Sequence, residues 1–195
     1  GNSAVTAAVK AIAIGYHSSA SATSAAAISR ANASGADSFA AAIGTNNTGY
    51  GATATNSVSL GSYNKASGYQ SAAVGGFGNV SNGNSSFATG YQSYANGDFC
   101  FASGLYSKAA IYGTTAHASG YFSGIGDAQG CKYILRSDTT DATAEAMTTN
   151  NSTAAATNQI VAASDTCITF HGTVTAMQNG AQAHAGWEIK GMLVN

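Results

Sequence analysis

The residues that could perform acid–base or nucleophilic chemistry are few in this chain and are scattered along it. Asp37 and Asp98 are isolated acids, and Glu145 and Glu188 are separated by two predicted strands. Acid–base catalysis needs such groups to be positioned together around a substrate, and their spacing does not indicate this. No G-x-S-x-G turn lies between a strand and a helix to activate a serine. We therefore expect no catalytic residue and no enzymatic activity.

Metal and disulfide chemistry are equally poorly supported by the spacing of histidine and cysteine. None of the histidines has metal-ligand spacing: His17, His117, His171 and His184. Surface or interface positions are expected for them, and an ion held on a symmetry axis between copies is the alternative. No metal and no cofactor are predicted. The cysteines, Cys100, Cys131 and Cys167, are odd in number, which argues against a full set of disulfides. A bridge from Cys131 to Cys167 is the alternative to three free thiols.

The charge of the chain excludes two classes of partner. Only 8% of the 195 residues are charged, and the net charge is −1. A nucleic-acid-binding surface needs clustered Lys and Arg, so no nucleic-acid partner is expected. No run of 18 apolar residues occurs, so no membrane insertion is predicted.

The aromatic residues beside glycines are the feature most suggestive of binding. Gly-Tyr-x-Ser occurs at residues 15–18, 68–71, 90–93 and 120–123. Exposed Tyr can stack on a sugar or on a protein side chain. Alternatively, these rings pack on one another at the corners of a repeating fold or seal contacts between subunits. The candidate recognition residues are Asn46, Asn47, Tyr50, Tyr63, Tyr91 and Tyr121.

A repeated phrase predicts the elements that position these residues. An apolar residue, Ala or Ser, usually an apolar residue and then Gly recur through the first two thirds of the chain, ending at positions 15, 29, 44, 61, 75, 90, 104 and 120. A second Gly follows about seven residues later in many copies. Frequent Gly and a local period of two exclude a helix. A fixed period of 14–17 residues predicts an all-β fold, a β-solenoid of stacked parallel strands.

The repeat also predicts two faces of different size. The residue two before the end of each phrase is Ala or Ser, as at Ala88 and Ala102. We expect this small face to fill the inside of the coil, although the opposite assignment stays open. The larger apolar residues would then form an exposed stripe, consisting of Ile12, Ile14, Ile43, Val58, Leu60, Val74, Phe87 and Phe101. Such a stripe predicts a symmetric homo-oligomer.

A resemblance to a known family is clearest in two copies of the repeat, residues 57–68 (SVSLGSYNKASG) and 86–97 (SFATGYQSYANG). The repeat, over about residues 11–126, resembles the YadA-like head repeat of trimeric autotransporter adhesins. The resemblance implies a left-handed parallel β-roll and a homotrimer with the stripe at its centre. Similar repeats occur in phage tail-fibre and other virion proteins.

The repeat fades after Gly120. We therefore predict two domains, a β-roll over residues 1–128 and a small antiparallel β module over residues 129–195. The second module is expected to end on a strand without a closing turn. Its strand candidates are residues 133–136, 145–149, 158–163, 167–178 and 186–194. Two short segments look similar to β modules that follow such repeats in phage structural proteins, residues 133–143 (YILRSDTTDAT) and 187–191 (WEIKG). We expect no coiled-coil stalk or membrane anchor after the repeat, which favours this branch over the adhesins.

The combined expectation is a non-enzymatic trimeric segment of a phage tail fibre or other virion structure, involved in host attachment. The expected partners are two further copies, other virion proteins, and a glycan or protein of the host surface. The head of a bacterial adhesin on the cell surface is the alternative, and an ice-binding solenoid is a remote one because Thr ladders are missing. Long repeats predict outward bulges at residues 45–56 and 112–116 that would be free to carry recognition.

Overall fold

The computed structural model describes residues 4–42, 44, 49–141, 143–164, 166–180 and 183–195. Within these residues the protein is all-β, and it contains no helix that could cross a membrane. The chain forms two compact units, Gly1–Gln159 and Ile160–Asn195. The first unit thus extends beyond the boundary expected after residue 128.

The first unit is a β-solenoid of about eight turns, which confirms the predicted coil. Each turn contributes one strand to each of two parallel sheets. The short-strand sheet contains β1 (Val5–Thr6), β3 (Ser19–Ala20), β5 (Asn32–Ala33), β7 (Gly51–Ala52), β9 (Lys65–Ala66), β11 (Val80–Ser81), β13 (Tyr94–Ala95) and β15 (Lys108–Ala109). The long-strand sheet contains β2 (Ile12–Ile14), β4 (Ala26–Ile28), β6 (Phe39–Ala41), β8 (Val58–Ser62), β10 (Ala72–Phe77), β12 (Phe87–Tyr91), β14 (Phe101–Leu105), β16 (Thr115–Ser119) and β17 (Gln129–Lys132).

The inside of the coil is filled by small side chains from both sheets. The central residues of the long strands that are fully buried are Ala27, Ala40, Ser59, Ala73, Ala88, Ala102 and Ala116. The short strands contribute Ala20, Ala33, Ala52, Ala66, Ser81, Ala95 and Ala109. Because successive residues of a strand point to opposite faces, their larger neighbours point outward. The assignment of the small face to the inside is therefore confirmed.

The register corrects two positions of the expected small face. Ala40 pairs with Ser59, and Ala116 pairs with Ala102, so Ala42 and Ala118 do not take the expected position in their turns, although Ala118 is itself buried. Ala42 instead takes the position of Gly61, with a φ of 55°. The prediction aligned the repeats by their glycines, whereas the fold aligns them by the side chain that fits inside.

This register also moves the insertions. Residues 112–116 do not bulge, because Thr115 and Ala116 lie in β16 and pair with β14 in regular register. The extra length of the longest turn lies before Gly51, which pairs with Lys65 at the start of β9. Of the predicted bulge at 45–56, residues 45–48 lie outside the described residues, while Gly51 and Ala52 form β7.

Buried asparagines satisfy the backbone at one corner of the coil. Asn79 donates from Nδ2 to the carbonyls of Gly75 (2.7 Å) and Gly90 (2.8 Å). Its Oδ1 accepts from the backbone N–H of Ser93 (3.1 Å), one turn further along. Asn64 makes the equivalent contacts in the preceding turn, and its Oδ1 accepts from the N–H of Asn79 (2.8 Å). Each asparagine thereby ties consecutive turns together in the interior, where an unpaired carbonyl would be costly.

The last turn of the coil is covered by the chain that follows it. Strand β17 pairs antiparallel with β16, in contrast to every other pairing of the coil. The side chain of Gln129 accepts from the N–H of Lys108 (2.7 Å) and donates to its carbonyl (2.8 Å), as a neighbouring strand would. At the last turn these contacts cover β16 and the start of β15, whose unpaired backbone groups would otherwise invite pairing with another chain.

The turn before β17 is held by an acid. Asp127 accepts from the N–H groups of Phe122, Ser123 and Gly124 at 2.7–2.9 Å. These backbone donors, led by Ser123, lower the pKa of the Asp127 carboxyl to about 2.

The residues between β17 and the second unit do not form the three strands expected at 133–136, 145–149 and 158–163. Among the described residues there, only an isolated bridge joins Arg136 to Thr148.

The second unit is one antiparallel hairpin, which confirms the two strands expected at the end of the chain. Strand β18 (Cys167–Met177) pairs with β19 (His184–Val194) over eleven consecutive residue pairs. All three cysteines are free thiols, so the alternative of a bridge from Cys131 to Cys167 is wrong.

Candidate functional site

The outward side of the long-strand sheet is an apolar surface along the coil, which we call the outer apolar face. Its first column runs through Ile12, Ala26, Phe39, Val58, Ala72, Phe87 and Phe101, and its second through Ile14, Ile28, Ala41, Leu60 and Val74. Ile12 is 53% exposed and Ile14 is 55% exposed. The side chains of these two columns carry no charge.

The outer apolar face becomes more polar in the last turns. The second column continues through Thr89, Ser103 and His117. His117 Nδ1 lies 3.0 Å from Ser103 Oγ, within hydrogen-bond distance. In the first column, Phe87 and Phe101 stack with centroids 5.5 Å apart and an interplanar angle of 6°, and the column then continues through Thr115 to Lys132 of β17. The face is therefore graded along the coil axis, from aliphatic through aromatic to polar.

A second surface feature is a row of aromatic rings at one corner of the coil, which we call the aromatic ladder. Its members are Tyr50, Tyr63, Phe77, Tyr91, Tyr106 and Tyr121. Neighbouring ring centroids are 4.4–5.6 Å apart, in stacked, tilted and edge-to-face arrangements. Such pairs stabilise by about 0.5–1.5 kcal/mol each beyond the area that they bury.

The geometry of the aromatic ladder limits what it can bind. A ring recognises a sugar by stacking with its open face, but the rings of the ladder contact one another, and Phe77 and Tyr91 are stacked at an interplanar angle of 20°. The tyrosines of the ladder add hydroxyl groups as polar contacts, and Tyr91 is 42% exposed. A shallow cavity of about 170 Å³ lies beside it, lined by Tyr50, Tyr63, Phe77, Gly78, Val80, Gln92 and Tyr94. The arrangement supports the interpretation of these rings as a packing ladder, with polar edges available for recognition.

The predicted recognition residues are thus partly brought together. Tyr50, Tyr63, Tyr91 and Tyr121 all belong to the aromatic ladder, although they are far apart in sequence. Asn46 and Asn47, and Ile43 of the predicted stripe, lie outside the described residues. The candidate set omitted Phe77 and Tyr106, although both recur at the spacing of one turn from their neighbours.

The predicted stripe residues are likewise placed on one surface. Ile12, Ile14, Val58 and Leu60 point outward from the coil. So do Val74, Phe87 and Phe101, while Ala88 and Ala102 lie inside.

The titratable groups of the described residues do not assemble a reactive centre. No group of three His, Cys, Asp or Glu side chains lies close enough to hold a metal within this part of the chain. Burial raises the pKa values of the Cys100 thiol and the Tyr133 hydroxyl, which keeps both groups protonated. A cavity of about 350 Å³ contains Asp138 and Glu145, but these acids already accept hydrogen bonds from Asn151 (2.9 Å) and Ser137 (3.0 Å).

Comparisons with known proteins found no matching family model, no matching curated protein and no matching solved structure.

Proposed function

We propose that this chain is a non-enzymatic segment of a homotrimeric fibre, part of a phage tail or another virion structure that takes part in host attachment. The observation that carries the proposal is the outer apolar face. A continuous stripe of exposed and half-buried Ile, Val, Leu and Phe would aggregate in water unless other copies covered it. Three coils packed side by side about one axis, left-handed as the sequence resemblance implies, would bury that stripe at the centre of a rod.

The coil has the mechanical character of a spacer. Its turns stack at the spacing of strands in a sheet, so eight turns extend about 35–40 Å along one axis. Each turn contacts only its neighbours, and length is therefore gained by adding turns without changing the interior. The aromatic ladder and the buried asparagines add contacts between turns along the same axis. A rod of this kind holds a binding element away from a particle.

The expected ligand is a glycan or a protein of the host surface, reached by the polar edges of the aromatic ladder or by the corner loops. The head of a bacterial trimeric adhesin is the alternative, because the same coil and face would serve there. The two differ in location. Antibodies against the chain should label purified virions if the proposal is correct, whereas labelling of bacterial cells alone would favour the adhesin.

Light scattering tests the assembly. The wild-type protein is expected to have the mass of three chains at micromolar concentration. Leu60→Lys places a charge at the centre of the outer apolar face and should reduce the mass toward that of one chain, because a buried unpaired charge costs several kcal/mol. Asn96→Lys, at an exposed position after β13, is the matched control and should remain trimeric. A wild-type protein with the mass of a single chain would refute the proposal.

A further inference from the structure

One face of the β18–β19 hairpin is entirely apolar, and we call it the apolar hairpin face. The register pairs Ile168 with Leu193, Phe170 with Gly191, Gly172 with Ile189, Val174 with Trp187 and Ala176 with Ala185. Alternation along each strand places these ten residues on the same side. The ring of Phe170 lies over Gly191, where an added Cβ would come within 2.9 Å of the ring. The two strands thus present one continuous apolar strip without a charged group.

The opposite face of the hairpin carries its charges. Glu188 Oε1 lies 2.6 Å from His171 Nε2 and 3.6 Å from Lys190 Nζ, and all three side chains are more than half exposed. The same face carries Thr169, Thr173 and Thr175. Met177, Met192 and Val194 lie on this face as well, so the two faces of the hairpin are distinguished by charge, and all of its charged side chains lie on this one.

The second unit has no core of its own to cover the apolar hairpin face. Among its described residues only Ala162 is buried. Trp187 is 53% exposed, Phe170 44% and Ile189 43%. A two-stranded hairpin is marginally stable in water unless it packs against something. An eleven-pair hairpin with one fully apolar side therefore requires an occupant on that side.

We propose that the apolar hairpin face packs against the same face in other copies of this chain. A charged surface would find no counter-charge there, whereas a second copy of the strip is matched in polarity and in length. Seven residues separate Gln159 from β18, so their maximum extension is about 25 Å. Copies that associate through their coils hold their hairpins at the high effective concentration that a short tether provides.

The area of the apolar hairpin face is small, so the contact between hairpins adds to the association of the coils. Eleven residues per strand at about 3.4 Å each, on a ribbon about 10 Å wide, give roughly 370 Å² per chain. Two copies would bury roughly 740 Å² in one contact, and three would bury roughly 1,100 Å² shared among three contacts, so either contact is below the size of an independent specific interface and depends on the association of the coils. The number three rests on the trimer proposed above, whereas the contact between hairpins requires only that the coils associate.

Trp187 is the only Trp in the chain and reports directly on this face. Acrylamide quenching of the full-length wild-type protein, with mass measured on the same sample, is the first experiment. The expected result is a quenching constant several-fold below that of free indole and a blue-shifted emission, in an oligomer. An oligomer with a freely quenched Trp187 overturns the inference and leaves the proposed fibre assembly intact. A monomer with a freely quenched Trp187 overturns both the hairpin contact and the fibre assembly. A monomer with a shielded Trp187 also overturns both, since the chain would then cover its own hairpin face.

Two lysine variants test which face is used. Val174→Lys changes the ladder partner of Trp187 on the apolar hairpin face and should raise the quenching constant at least two-fold, with a red shift of the emission. Thr173→Lys changes the adjacent residue on the opposite face and should leave the wild-type value. An unchanged quenching constant in Val174→Lys, or an equal increase in both variants, overturns the assignment. The thermal transition of the coil, followed by circular dichroism, serves as the folding check.

Discussion

The coil and the hairpin differ in what they bury. In the coil, the interior consists of Ala and Ser, and among the largest fully buried side chains are Asn64, Asn79 and Thr114. In the hairpin, Phe170 and Trp187 have their rings about half exposed. One region closes on itself with small residues, while the other presents large residues to a surface that it does not contain.

The difference teaches that a β structure can obtain stability in two ways. An Ala methyl contributes little hydrophobic free energy, since burial is worth about 0.8 kcal/mol per methylene-sized group. The coil therefore depends on many stacked backbone hydrogen bonds and on the close approach of its two sheets. The hairpin has one ladder and large apolar side chains, so its stability depends on the burial of those side chains by another surface.

The largest expected effect comes from enlarging the coil interior. Ala88→Leu adds three carbons where the exposed fraction is 0% and should reduce the free energy of unfolding by at least about 3 kcal/mol per chain, because an interior bounded by backbone cannot relax. The melting temperature should fall by about 10 °C. Ala110→Leu, the same change at an exposed position outside the outer apolar face, is the control and should melt close to wild type. An unchanged melting temperature for Ala88→Leu would contradict the tight interior.

A smaller loss of stability is expected when one of the buried asparagines at the corner of the coil is replaced. Asn79→Ala removes two donors to buried carbonyls and one acceptor, and should cost about 2 kcal/mol in the free energy of unfolding. Asn82→Ala is the matched control, because Asn82 is exposed and its contacts to Ser67 and Asn96 compete with water. Urea denaturation of the two variants measures the difference. Equal midpoints would mean that the buried asparagines add nothing specific to the stacking of turns.

The smallest effect is expected on the charged face of the hairpin. His171→Ala removes the contact with Glu188, whose side chain is 56% exposed, and should change the free energy of unfolding by less than about 0.5 kcal/mol. Glu188→Gln should behave in the same way. A loss above 1 kcal/mol in either variant, measured by the same denaturation, would show that this face is the one that packs, and would reverse the distinction between the two faces of the hairpin.

Much of the coil could be predicted from local spacing, and its errors have one physical cause. The period of the phrase and the constant small residue correctly indicated a solenoid with a narrow interior. The alignment was displaced by two residues at Ala42, since a backbone turn with positive φ can be made by Ala42 as well as by Gly61. It was displaced by the same amount at Ala118, which pairs with Gly104 inside β16. Glycine marks turns in the sequence, but the fit of Ala40 and Ala116 into the interior decides the register.

The candidate site was predicted in type and incompletely in membership. The recurrence of Tyr beside corner glycines indicated either binding residues or a packing ladder, and only the stacking of turns brings Tyr50 to Tyr121 into one row. Nothing in the sequence indicated that the side chain of Gln129 would pair with the backbone of Lys108 at the end of the coil. This pairing forms only because β17 reverses direction there.

The sequence by itself determined the repeat length, the absence of room for large side chains at one position per turn and the two final strands. These follow from local rules, namely the alternation of side chains along a strand and the turn preference of glycine. The tertiary structure decided which residues align between turns, how the last turn is covered and which hairpin residues share a face. Those features depend on contacts between residues at least a turn apart, and the local rules do not specify which residues form them.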